Sequence, residues 1–364
     1  MRFTRAIKLT VFVLLCGAVL NPLPVHADRR LPIMPLLRQT ARDRLVFNRP
    51  SYNYAPAIIH DGPLYHLYWC AGIAGDFILH AEASSLEGPW HGASNPAPST
   101  FDVALQPTKS PNNFDGLHTC DPNVLKVGAT YFLYYSGEAA EGALTAIGVA
   151  ASLDGVHFER LNNGNPIVVA AKTNPTYKES HLSYGAGQPA AVFVAPYVYL
   201  SFTDSTGSAV NKGNGAGQFA LRSTDPSFAT GIEELTASGW RARQSGVHTA
   251  EYSFLESFGI DWMFDRRSRT LIAVSDRVPG HVSLFFLDPR TLQTLGTDEL
   301  PMNWREGPAI LAERNKSTAA REDCGSLPVT AFAAEGASND PWSWHALSYS
   351  AAVFSIAPLC NRKD

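Results

Sequence analysis

Cys120-Asp121-Pro122-Asn123-Val124-Leu125-Lys126-Val127-Gly128-Ala129, followed by Tyr131-Phe132-Leu133-Tyr134-Tyr135, is the stretch that organises the chain. A polar residue and a proline lead into an apolar run, a glycine turn reverses the chain, and a second run rich in aromatics returns, which is the pattern of a β-hairpin. The unit recurs. Tyr54-Ala55-Pro56-Ala57-Ile58-Ile59 precedes His66-Leu67-Tyr68-Trp69, and Gly187-Gln188-Pro189-Ala190-Ala191-Val192 precedes Val198-Tyr199-Leu200-Ser201-Phe202. A degenerate copy, Ile260-Asp261-Trp262-Met263-Phe264, leads to Thr270-Leu271-Ile272-Ala273-Val274, and Arg305-Glu306-Gly307-Pro308-Ala309-Ile310 leads to Val329-Thr330-Ala331-Phe332.

Equivalent positions at 55, 121, 188, 261 and 307 are separated by 66, 67, 73 and 46 residues, the length of a four-stranded blade with decorated loops. Repetition at this scale predicts a solenoid or propeller. Long amphipathic helical patterns are missing, and further strand-like runs lie between the units. The expectation is an all-β, five-bladed β-propeller spanning 28–364 as a single domain. Its innermost strands begin around a central channel, so ligand chemistry is expected at the first residues of each unit.

The N-terminus reads as an export signal. Arg2, Arg5 and Lys8 precede an apolar run from Leu9 to Leu20, and Val25-His26-Ala27 supplies small residues for cleavage after residue 27. Cleavage would leave no membrane-inserted segment and a periplasmic or secreted protein. The net charge is −4 for the whole chain and −7 without those three basic residues, and no basic block tracks a phosphate backbone, which excludes nucleic acid as a partner. Cys70, Cys120, Cys324 and Cys360 remain, an even number whose spacings match no zinc pattern. Pairing of Cys70 with Cys120 and of Cys324 with Cys360 is one arrangement, and buried free thiols are the other.

Asp121-Pro122-Asn123-Val124-Leu125-Lys126-Val127-Gly128, with Tyr131-Phe132-Leu133-Tyr134-Tyr135-Ser136 after it, resembles the strand start of glycoside hydrolase family 43 and its five-bladed relatives. Ser152-Leu153-Asp154-Gly155-Val156-His157-Phe158 resembles the outer strands of the same group. The resemblance implies three carboxylates at blade starts: an Asp in the first blade as general base, an Asp in the second that orients and tunes, and a Glu before Gly-Pro in the third as general acid. Asp121 matches the second. Ala55 stands at the first and Gly187 at the third, and neither can carry a proton.

Two other carboxylates sit at blade starts. Asp261 opens the fourth unit, and Glu306 lies in Glu306-Gly307-Pro308, the local phrase of the family acid, in the fifth. Asp121, Asp261 and Glu306 are therefore the candidate catalytic residues. Inverting hydrolysis needs two such carboxyls roughly 6.5–9.5 Å apart across one pocket. Candidate substrate contacts are Asn53 and Tyr54 beside Ala55, Glu179 and His181 in the loop before the third unit, Gln188, Trp262 as a stacking surface, and Arg305. Trp304, Trp342 and Trp344 are further aromatics near the openings, and His345 is a channel histidine candidate.

No cofactor is expected, although the fold group allows a metal ion such as calcium in the channel, and no metal ligands are assigned. The expected partner is a carbohydrate and the expected state a monomer. The leading expectation is a glycoside hydrolase acting on a polysaccharide or oligosaccharide. The alternatives are a non-catalytic polysaccharide-binding propeller and a glycoside phosphorylase, which needs a phosphate site built from Arg305, Arg266 and Arg267.

Overall fold

Each of the five sequence units opens its own, mainly antiparallel, sheet in the computed structural model, which describes residues 36–48, 52–72, 75–172, 184–211, 215–278, 280–336 and 346–360. The first sheet runs Tyr54–Asp61, Leu64–Gly72, Asp76–Ala83 and Asp102–Leu105, and the second His118–Val127, Thr130–Glu138, Ala146–Ser152 and Glu159–Arg160. The third runs Ala186–Val194, Tyr197–Asp204, Gln218–Ser223, Glu233–Thr236 and Gly239–Ala242, and the fourth Ile260–Asp265, Thr270–Val278, His281–Leu287 and Thr294–Pro301. The fifth begins with Glu306–Ile310, continues through Ser326–Glu335 and Ala346–Ser355, and ends on a strand from the other end of the chain, Leu36–Asn48.

That closure was absent from the sequence expectation. Leu36–Asn48 pairs antiparallel with Ala346–Ser355 from Leu36 opposite Phe354 to Asn48 opposite Ala346, with several register breaks. Arg38, Arg42, Asp43 and Arg44 obscure its alternation, as charges on an edge strand do while they protect that edge from pairing with another chain. Joining both ends of the chain in one sheet locks the ring.

Five apolar clusters hold the ring together, each drawn from two neighbouring blades. Tyr68 and Leu133 share one cluster, Leu125 and Leu200 the next, then Val192 and Trp262, Met263 and Leu327, and Trp69 and Phe332, so the seams run around the circle and return to the start. Trp262 is wholly buried in the third-to-fourth seam, so it serves packing and not sugar stacking as expected. Truncating such a side chain costs about 3–5 kcal/mol.

Both cysteine pairs are disulfides. Cys70–Cys120 ties the second strand of the first blade to the innermost strand of the second, and Cys324–Cys360 fastens the short C-terminal helix Ala357–Cys360.

The proline starts share one backbone device. Ala55, Asp121, Gln188 and Gly307 each precede a proline, each has a left-handed φ of 46°, 46°, 51° and 44°, and each sits in a break of the strand register. A left-handed φ costs a residue with a side chain about 1–2 kcal/mol, and a bulge turns that side chain out of the regular pleat. Strain repeated at the same place around a channel marks positions whose direction matters. The innermost strand of the fourth blade has no proline and pairs without a break from Ile260 opposite Ser275 to Asp265 opposite Thr270.

Candidate active site

The starts of all five innermost strands surround a small cavity of about 40 Å3 lined by Ala55, Asp121, Gln188, Gly259, Glu306 and Gly307 with their prolines, and by Asp261 at greater depth. Asp121 and Glu306 thus share one opening. Gln188 lies between them: its Nε2 donates to Glu306 Oε1 at 3.4 Å, its Oε1 accepts from Gly259 N at 3.1 Å, and its own N–H donates to Ser136 Oγ at 2.9 Å. One residue from the third blade therefore touches the fourth and fifth with its side chain and the second with its backbone.

Asp121 is half-buried and accepts a 2.8 Å hydrogen bond on Oδ2 from the Tyr184 hydroxyl. Desolvation raises its pKa above the usual carboxylate value, and the nearby negative charge of Asp76 adds to this. Hydrogen bonds from Ser136, Tyr184 and the Gln188 backbone oppose the rise without cancelling it. Tyr52 and Tyr54 pack with ring centroids 4.4 Å apart and planes tilted by 40° beside the same group, and burial pushes both phenols up, so they remain neutral donors. Asp76 is paired with His118, Nδ1 to Oδ2 at 2.9 Å, and that contact raises the imidazole pKa.

Tyr184 explains the missing acid of the third blade. A Cβ added at Gly187 would lie 2.4 Å from the Tyr184 hydroxyl oxygen and 2.8 Å from Ser136 Oγ, so the space for a side chain is already filled by a phenol. A glutamate stands at the equivalent place in the fifth blade. Glu306 precedes left-handed Gly307 and Pro308 as Gly187 precedes left-handed Gln188 and Pro189. The first-blade position is closed more simply: a Cβ on Gly307 would lie 3.3 Å from the Ala55 Cα, so the two strand starts are in contact.

Asp261 has a different environment from the one expected. It is nearly fully buried, and its carboxylate is surrounded by donors: Lys316 Nζ at 2.7 and 2.9 Å, Asn123 Nδ2 at 2.9 Å, and the backbone N–H groups of Trp262 and Ile310 at 2.9 Å each. The unbroken register of the fourth blade places it below the level of Asp121. Lys316 is wholly buried and rises from a loop whose backbone bonds Phe264 and Lys126 near the trailing ends of two innermost strands, while Ala312–Glu313 pairs in parallel with Tyr54–Asp61. This loop lies across the far end of the channel, opposite the mouth that holds Asp121 and Glu306. A calcium ion does not suit the channel at this depth, because the ammonium of Lys316 already neutralises Asp261.

The remaining expectations divide. Asn53 is wholly buried and accepts the Trp69 indole N–H at 2.9 Å, which makes it a core partner and not a sugar contact. Tyr54 is half-buried beside the mouth. Arg305 lies at the start of the fifth blade with Nε donating to Gly336 O at 3.0 Å, whereas Arg266 and Arg267 follow the trailing end of Ile260–Asp265. The three arginines stand at opposite ends of the channel and form no phosphate cluster. Trp304 donates its indole N–H to His281 O at 2.9 Å. Glu179, His181, Trp342, Trp344 and His345 lie outside the described residues.

Tyr52, Asp76, His118 and Tyr184 were not among the expected site residues. His118 was open to recognition, three positions before Asp121 on the same strand start; Tyr52 precedes the first innermost strand and Asp76 opens the third strand of that blade, and neither carries a motif.

No protein-family model and no curated protein sequence matches the chain. Solved structures do. Zg3597, a family 117 glycoside hydrolase from the marine bacterium Zobellia galactanivorans, aligns over 90% of this chain and 92% of its own with a TM-score of 0.56 and 11% identity. CoXyl43, a GH43 β-xylosidase/α-arabinofuranosidase from a compost microbial metagenome, aligns over 87% and 94% with a TM-score of 0.53 and 14% identity. A GH43_1 enzyme from Xanthomonas citri aligns over 86% and 91% with a TM-score of 0.52 and 11% identity. At such identities the likeness is one of fold: the chain shares its five-bladed β-propeller with glycoside hydrolases of families 43 and 117.

Proposed function

We propose that this chain is an exported glycoside hydrolase that cleaves a glycosidic bond of a polysaccharide or oligosaccharide at the channel mouth, with Asp121 as proton donor and Glu306 as its carboxylate partner. The observation that carries this reading is the sharing of one cavity by a desolvated carboxyl with a raised pKa and a second carboxyl from another blade. A carboxyl held protonated to higher pH is what a general acid requires, and a second carboxylate is what the attacking water requires. Protonated Asp121 gives its proton to the glycosidic oxygen as the bond to the anomeric carbon breaks. Glu306 takes a proton from the water that attacks that carbon. The neutral phenols of Tyr52, Tyr54 and Tyr184 offer hydrogen bonds to sugar hydroxyls or to Asp121. The N-terminal signal pattern and two disulfides support export to an oxidising compartment.

The experiment is hydrolysis of a broad oligosaccharide panel by the wild type, Asp121→Asn and Glu306→Gln. Loss of about 10²–10⁴-fold in each variant is expected for acid/base residues. Equal trace activity in all three removes both from the mechanism.

One observation favours a second reading, a propeller that holds saccharide without cleaving it. Tyr184 fills the third-blade acid position and Ala55 stands at the first-blade base. Saturable binding by calorimetry with no product from any substrate would establish that reading.

A further inference from the structure

His66, His80 and Glu82 converge on one face of the first blade, away from the channel mouth. His66 lies directly across the ladder from Glu82, and His80 lies across from Tyr68, so the three side chains occupy direct and diagonal positions on the same face. One potential ligand atom from each lies within 4.8 Å of the others. His66 and His80 are buried at 6% and 0% exposure, and half-buried Glu82 gives the cluster its opening to solvent.

We propose that His66 Nδ1, His80 Nε2 and a Glu82 carboxylate oxygen form a site for a divalent transition metal of the zinc class, with water completing the coordination. Two histidines and a carboxylate with one open position are a zinc ligand set. The two facing imidazole nitrogens are 3.1 Å apart. Two nitrogens bound to one tetrahedral zinc at 2.0–2.1 Å stand about 3.3 Å apart, so the pair needs only a slight opening to accept the ion.

The far side of His80 supplies an independent observation. Its Nδ1 is buried without a hydrogen-bond partner and lies 3.6 Å from Asp102 Oδ2. Asp102 is itself fixed by the backbone N–H groups of Ala93 and Ser94 and by the Ser94 hydroxyl. When Nε2 binds a metal, the ring proton must sit on Nδ1 and face that carboxylate, which is the carboxylate–histidine–metal arrangement that orients a ligand and raises its basicity. The cluster ties the second strand of the blade to the third at the seam with the second blade, where Tyr131 packs 6.1 Å from the His66 ring. Its expected role is structural.

The test uses the untagged chain, stripped with a chelator and titrated with zinc chloride. One equivalent is expected to bind and to raise the melting temperature. Cobalt(II) substitution and zinc X-ray absorption of the wild type should show two imidazole ligands and oxygen. Glu82→Gln and His66→Gln should abolish stoichiometric binding, and Asp102→Asn should weaken it about 10–100-fold. No stoichiometric binding, a spectrum without imidazole scattering, or undiminished binding in folded Glu82→Gln and His66→Gln variants would each overturn the proposal. The wild-type spectrum decides the matter even where a variant does not fold.

Discussion

The Tyr184 hydroxyl and the Asp121 carboxylate form a 2.8 Å hydrogen bond across the second-to-third blade boundary, and the phenol occupies the space that a side chain at position 187 would enter. The Tyr184 contact to Asp121 and a side chain at position 187 therefore exclude each other in this packing.

Asp121→Asn is expected to separate function from stability. Burial raises the folded-state pKa of Asp121 above its unfolded value, so the stability linked to its protonated form is complete below about pH 4 and is lost as pH rises through the raised folded value. The amide escapes this loss. Melting temperatures of the two proteins should coincide in acid and diverge in favour of Asp121→Asn toward neutral pH, while activity or sugar affinity falls.

Tyr184→Phe removes a hydrogen bond that favours the ionised form of Asp121. The pKa of Asp121 should rise further, and the limb of the pH–activity profile set by this acid should move upward. Carboxyl-carbon NMR titration measures the same change without substrate.

Gly187→Ala should be destabilising by about 1–3 kcal/mol, because the new methyl group collides with the Tyr184 hydroxyl and with Ser136 Oγ. Adding Tyr184→Ser should recover part of that loss in a double-mutant cycle by urea unfolding. Strict additivity would show that the two positions do not compete for one space.

Lys316→Met should cost about 3–5 kcal/mol, since it leaves the buried Asp261 carboxylate without its cation. Combining it with Asp261→Asn should restore much of the stability. Asp261→Asn alone should reduce the denaturation midpoint, and any fall in activity should track the unfolded fraction.

Ser substitution of both Cys324 and Cys360 should lower stability by about 2–4 kcal/mol, as the closed loop in the unfolded chain is released. Chemical denaturation of the purified variant under non-reducing conditions checks this.

The ring was legible because its signal is local and repeated. Pro56, Pro122, Pro189 and Pro308 each stand where an innermost strand begins, and the aromatic runs after them are the second strands. Asp121 and Glu306 were legible for the same reason, since position within the unit sets position at the mouth. Asp261 and Trp262 misled because the fourth unit lacks the proline bulge: its regular pleat sends the aspartate down the channel and the indole into a seam. Asn53 misled in a similar way, since proximity in sequence to Ala55 says nothing about the Trp69 indole that claims its carbonyl.

The amino-acid sequence by itself determined the number of blades and the strand that opens each, because these depend on hydrophobic period and proline position. Only the tertiary structure decided which strand starts share one cavity, which carboxylate Lys316 pairs with, and what fills the space beside Gly187. Those outcomes depend on groups far apart in the chain meeting in space. A lysine at 316 reaches an aspartate at 261, and a tyrosine at 184 reaches an aspartate at 121, through a ring that must close before either contact exists.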